Sequence, residues 1–124
     1  MSPPNAERIR LSEKFERIHE PWKPKIVGEV NDAYVKLVKF EGEFLWHTHE
    51  NEDELFLVLR GGFRLCLRDR EIRLGAGELA VVPRGVEHRP VAEEGAEVLL
   101  LEPKTTLNTG TVRNARTVER PEWI

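Results

Sequence analysis

The sequence predicts an all-β fold, an antiparallel double-sheet β-barrel preceded by one short helix. Three observations carry this reading. From Lys25 onward, short apolar runs alternate with Gly, Pro, Asn and Asp turn signals, the pattern of many short strands. After residue 25 no stretch has helical periodicity long enough to suggest a crossover helix. Before it, Leu11, Phe15 and Ile18 recur at i, i+4 and i+7 among charged residues, the stripe of a short amphipathic helix within residues 6–20.

The elements follow in order. Pro21 and Pro24 end the helix. Trp22, in its exit, is expected to pack on the barrel. Asn31-Asp32 turns Lys25–Val30 into residues 34–40, a hairpin. Glu41-Gly42 is read as a break, followed by 44–49 and the polar loop 50–53. Residues 55–60 form the next strand, closed by Gly61-Gly62. Phe63, Leu65 and Leu67 then alternate with Arg64, Cys66 and Arg68, a strand with one apolar face. Asp69-Arg70 leads into 71–74, and Gly75-Ala76-Gly77 into Leu79–Val82. Residues 87–91 and 97–101 complete the set. The organisation expected is an N-terminal helical arm (1–24), a barrel (25–102) and a polar C-terminal tail (103–124), which either wraps the barrel or stays mobile.

Composition excludes several classes of function. The chain has 124 residues, 40% apolar and 33% charged, which suits one soluble domain with one core. The formal net charge is −3, and no long basic run is present, so nucleic acid is not an expected partner. No apolar run reaches the length of a membrane span, and the N-terminus has no signal-like apolar region, so a cytoplasmic protein is expected. Cys66 is the one cysteine, so no internal disulfide can form; its place between two leucines predicts an inert thiol.

Histidines and carboxylates carry the chemistry. His47 and His49 stand two apart, which on a strand points both imidazoles to one face. His88 follows the turn Val82-Pro83-Arg84-Gly85, read as type I with Pro second and Gly fourth. In the acidic stretch Glu50, Glu52, Asp53, Glu54 one carboxylate is expected to turn inward, Asp53 or Glu54. Three imidazoles with one carboxylate suit a divalent transition metal (Mn, Fe, Co, Ni, Cu or Zn) and not a calcium cage. His19 lies in the helical region and is read as a surface residue. Tyr34 and Glu87 are weak acid–base candidates.

Two stretches extend this reading to a family. Gly42-Glu-Phe-Leu-Trp-His47-Thr-His49-Glu-Asn-Glu-Asp-Glu54, followed by Gly61, resembles the first motif of the cupins. Gly77, Pro83-Arg-Gly85 and His88 resemble the second. Four residues separate Gly42 from His47 where the family usually has five. Ala92 stands where it often has Asn. The resemblance implies a jelly-roll barrel, the double-stranded β-helix, with Glu54 as the carboxylate ligand beside His47, His49 and His88. It implies a small bacterial one-domain protein of the kind called mannose-6-phosphate isomerase-like, a label that reflects fold more than chemistry. Small cupins are commonly homodimers. An outward row of Leu55, Leu57 and Leu59 needs cover, from the helix in part and from a second subunit in the main.

The expected ligand is a small molecule in the barrel mouth. Phe56, Val58 and Leu45 have the phase to line that pocket, with Phe63, Leu65 and Leu67 on the adjoining hairpin. Arg64, Arg68 and Arg73 point away. Two functions fit: a metal-dependent enzyme acting on a small oxygen-rich organic molecule, of dioxygenase or isomerase type, or a non-catalytic binding or sensing module.

Overall fold

The computed structural model describes residues 6–124. One short helix, α1 (Leu11–Glu16), precedes β1 (Lys25–Val30), β2 (Ala33–Glu43), β3 (Glu54–Leu67), β4 (Glu71–Gly75), β5 (Leu79–Val82), β6 (His88–Pro103) and β7 (Glu122–Trp123). The strand order is β4-β3-β6-β2-β1-β7, with β5 also paired to β3. All pairs are antiparallel except β1 with β7.

The expected strands are present, but three boundaries differ. Gly61-Gly62 does not close a strand; β3 runs through it. Residues 87–91 and 97–101 are likewise parts of the single strand β6, and β2 continues past Glu41-Gly42 to Glu43. In each case the glycine marks a shift in register between paired strands, not an end of pairing. The shift in β3 explains its composition. Glu54, Phe56 and Val58 are buried before it, and Phe63 and Leu65 after it, so the inward phase changes from even to odd residues. The N-terminal half of β3 pairs with β5 and its C-terminal half with β4, so one bent strand serves both ends of the barrel. Gly61 sits in the bend at a φ of +77°, and a Cβ there would collide with the Gly95 carbonyl.

The interior is packed by Val38, Phe40, Phe56, Val58, Phe63, Leu65, Val98 and Leu100, which interdigitate from β2, β3 and β6. A second cluster lies outside. Phe15 and Ile18 cover Leu37 and Val27, with Leu11, Leu59, Leu99 and Ile124 packed around them. The helix therefore screens the Leu59 end of the predicted row. Leu55 and Leu57 are half-buried, while their β5 neighbours Val81 and Leu79 are more than half exposed.

Both terminal segments pack onto the barrel. Trp22 takes a left-handed φ of 64° and enters the core, stacked on Phe40 and Phe44 with centroids 4.5 and 4.9 Å away. Its backbone N–H donates to the Lys39 carbonyl and its Nε1–H to that of Glu41, contacts that hold this uncommon conformation in place. The C-terminal segment wraps the barrel. Its Thr109 is fully buried, the Thr111 N–H donates to the Thr48 carbonyl, and β7 returns beside β1. Among the described residues no helix is long and apolar enough to cross a membrane.

Candidate metal centre

Residues 44–49 run antiparallel to residues 85–90 at one end of the barrel. His47 and His88 exchange both backbone hydrogen bonds at 3.0 Å, and the Gly85 N–H donates to the His49 carbonyl at 2.8 Å. This pairing brings the rings of His47 and His88 to 4.3 Å between centroids, with His49 5.0 and 5.5 Å from them. Glu54, the first residue of β3, points inward beside them. Its Oε1 lies 3.3 Å from Nε2 of both His49 and His88. One donor atom from each of these four residues lies within 4.8 Å of the others, and all four side chains are buried.

The turn before His88 differs from the type I expectation by one residue. The Val86 N–H donates to the Pro83 carbonyl, and Gly85 stands third with a φ of +83°. A positive φ at that position is the requirement of a type II turn. Asp53, the alternative carboxylate, is exposed and accepts a hydrogen bond from the Arg84 N–H at 2.9 Å, so it braces this turn and lies outside the cluster. Glu87 is half-buried and paired with Arg68; Tyr34 packs edge-on against Trp123; His19 is exposed. None of them reaches the cluster.

The hydrogen bonds assign the ring nitrogens. His47 Nδ1 lies 2.9 Å from the Leu45 carbonyl and His88 Nδ1 2.9 Å from that of Val86. A carbonyl only accepts, so each Nδ1 carries a proton and each Nε2 lone pair faces inward. Among the described residues, both ring nitrogens of His49, Nε2 of His88 and Oε1 of Glu54 have no hydrogen-bond partner. Buried polar atoms without partners are costly, and a cation at the focus of one His49 nitrogen, His88 Nε2 and Glu54 Oε1 would satisfy these three together. These residues fit a divalent transition metal in number, softness and orientation.

Electrostatics support the arrangement. Burial, and then the neighbouring His88, push the His47 imidazole down to about 4, so it is a neutral donor near neutral pH. Burial opposes ionisation of Glu54, but the neighbouring His49, His88 and Glu102 outweigh it and hold the carboxyl well below its ordinary range. Burial and the charge of Glu54 push Glu102 well above that range, against the pull of Lys36. Burial raises the Cys66 thiol, in keeping with the inert role expected of it.

The space beside the cluster is small and apolar. A cavity of about 30 Å³ is lined by Trp22, Phe40, Phe44, Phe56, Leu100 and Asn108, among others, with His47 and Glu54 in its wall. Phe56 lines it as expected. Val58, Phe63 and Leu65 instead fill the packed interior, and Leu45 only packs against that interior. Arg64 and Arg68 form ion pairs on the outside and Arg73 is exposed, as their phase predicts. The sequence reading missed Trp22 and Asn108 as lining residues, and it also missed a buried ion pair next to Glu54, Lys36 with Glu102. A signal for that pair existed. Lys36 shares the inward phase of Val38 and Phe40, and Glu102 that of Val98 and Leu100.

Residues 34–102 match the family described as Cupin domain. The chain belongs to the cupins. It is similar to a cupin-2 domain containing protein from Shewanella frigidimarina, with 44% identity and a TM-score of 0.76 over 77% of this chain and 94% of that one. It is 42% identical over 64 residues to the uncharacterized protein YdbB of Bacillus subtilis, covering 51% of this chain and 57% of that protein. It is 44% identical over 48 residues to the anti-sigma-E factor ChrR of Cereibacter sphaeroides, covering 39% of this chain and 21% of that protein. The chain thus spans a little over half of one of these curated relatives and about a fifth of the other.

Neutral His47 is the state the folded cupin favours, so the stability this preference contributes is present above the ordinary imidazole value of 6.5 and lost as pH falls toward 4. Long-range ¹H–¹⁵N spectra of the metal-stripped protein will show His47 as the neutral Nδ1–H tautomer at pH 5.5, with a midpoint near 4. A midpoint near 6.5 would contradict the buried geometry.

Proposed function

We propose that this cupin holds one divalent transition-metal ion on His47, His49, Glu54 and His88 and acts on a small organic molecule bearing two adjacent oxygen donors. The observation that carries the reading is the convergence of four buried donor groups, three of which, His49, Glu54 and His88, have buried atoms without a hydrogen-bond partner among the described residues. Such an ion, when bound, supplies Lewis acidity, or electron transfer if it is Fe, Mn or Cu. The chain's own residues do the rest. Leu45 and Val86 fix two imidazoles through their Nδ1–H groups. Trp22, Phe40, Phe44 and Phe56 exclude water from the inner side and so strengthen the electrostatics there.

Size and polarity narrow the substrate. The cavity admits only the oxygen-bearing end of a molecule, since 30 Å³ is the space of about one or two waters. No Lys or Arg lines it, so nothing there favours a sugar phosphate, the substrate type that the isomerase-like label implies. Asn108, on the C-terminal segment, stands in the lining, so larger ligands require that segment to shift. A second reading is a sensing module that binds through the same donors without turnover. The likeness to an anti-sigma factor over 48 residues supports it.

We further propose a homodimer through the outer sheet face. Leu79 and Val81 on β5 are exposed beside half-buried Leu55 and Leu57, and α1 covers only the far side of this apolar surface. A second copy of the chain can cover the remainder around a two-fold axis.

Two experiments test these readings. Protein loaded with Fe, Mn, Ni or Zn, and offered catechols, diketones, hydroxy acids and sugar phosphates in air, will turn over one of the first three classes, and Glu54→Ala will abolish it. Tight binding without turnover under every metal would favour the sensor, and turnover that survives chelation would contradict the metal's role. Light scattering at micromolar concentration will give a dimer mass that Leu79→Asp/Val81→Asp reduces to a monomer. A monomeric wild-type protein would end the dimer proposal.

A further inference from the structure

Lys36 and Glu102 form an ion pair inside the barrel wall, with Nζ 2.8 Å from Oε1 and each residue 2% exposed. Around it the interior is apolar. Lys36 lies opposite Leu100 across β2 and β6, and Phe56 lies opposite Leu100 across β3. A buried ion pair in such surroundings is weak evidence of a stabilising role, because an apolar pair of similar volume avoids the desolvation of two charges. Its position is therefore the informative feature.

The pair stands directly behind Glu54. Leu55 lies opposite Leu101, so Glu54 and Glu102 occupy the next facing positions of β3 and β6 with both side chains turned inward. The two carboxyl groups are thus buried neighbours on adjacent strands. Glu102 Oε1 is held by Lys36, while its buried Oε2 has no hydrogen-bond partner among the described residues. On its far side Glu54 presents Oε1 toward His49 and His88. A buried row of polar groups therefore runs from Lys36 through Glu102 to Glu54 and ends at the imidazoles.

We infer that Lys36 and Glu102 are positioning residues, which clamp the Glu54 carboxyl so that Oε1 is aimed at the ion held with the three histidines. This rests on the metal reading above. Backbone carbonyls orient His47 and His88; the Lys36–Glu102 pair orients the carboxylate. Partners of this kind set ligand geometry, and their removal typically costs about 10- to 100-fold in metal affinity.

The test uses Co(II), whose visible absorption reports ligand arrangement without any need for activity. Lys36→Met/Glu102→Leu removes both charges together and keeps the volume. It is expected to fold with an unchanged or higher melting temperature, to bind Co(II) about 10- to 100-fold more weakly, and to show a shifted absorption band. Glu102→Gln, which keeps a group able to hydrogen-bond Glu54, is expected to restore affinity to within about threefold of wild type. A folded double variant with wild-type affinity and spectrum would overturn the inference alone. Absence of Co(II) binding by the wild-type protein would remove the metal reading and this inference with it. If the double variant does not fold, Lys36→Met decides on the same two readouts: a weakened, shifted Co(II) complex supports the clamp, and an unchanged one overturns it.

Discussion

Four polar side chains are buried together at one end of this barrel, three of them with atoms left without hydrogen-bond partners among the described residues, and the surrounding structure is arranged around that fact. Imidazole nitrogens and a carboxylate oxygen taken out of water lose their hydration, and here no neighbouring donor replaces it. The antiparallel bridge between His47 and His88 forces the crowding, because it sets two rings side by side. A third comes from the same segment as His47, two residues on. Among the described residues the fold does not supply these atoms with partners, and the cluster fits a divalent cation that would do so at one point.

Rigid support follows from the strand geometry. His47 and His88 each donate to a carbonyl two residues earlier in the chain, so their tautomers are fixed by the backbone of their own segments. Glu54 opens β3 between β5 and β6, where both neighbours constrain it. The bend at Gly61 lets the same strand continue into the opposite end of the barrel without exposing its apolar face. The two terminal segments close what the strands leave open, Trp22 from one side and the stretch around Asn108 from the other. The result is a cluster open to a few atoms and sealed against bulk water on its inner side.

Much of this was legible in the residues. The period of two in His47 and His49, the Gly and Pro turns and the spacing to His88 depend on local geometry, and local geometry is what a sequence displays. Glu54 was separable from Asp53 only through the family resemblance, since both lie in one acidic run and the strand they lead into is apolar on both faces. The structure supplies the reason: Asp53 caps the turn beneath His88. Strand ends at glycines were misread because a bulge and a terminus share the same residues, and only the partner strand distinguishes them. The Lys36–Glu102 pair and the course of the tail depend on contacts 66 or more residues apart, or between segments with no periodic signal. Such contacts leave little trace in local pattern.

The central claim is that the buried cluster is a metal centre. It is tested most directly by X-ray absorption at the metal edge on protein purified without added metal. The account predicts about one transition-metal ion per chain, with a first shell containing three imidazoles and carboxylate oxygen, and loss of the imidazole signature in His47→Ala/His88→Ala. A metal-free protein that also refuses Mn, Fe, Co, Ni, Cu and Zn on reconstitution, or a shell unchanged by the double substitution, would contradict it.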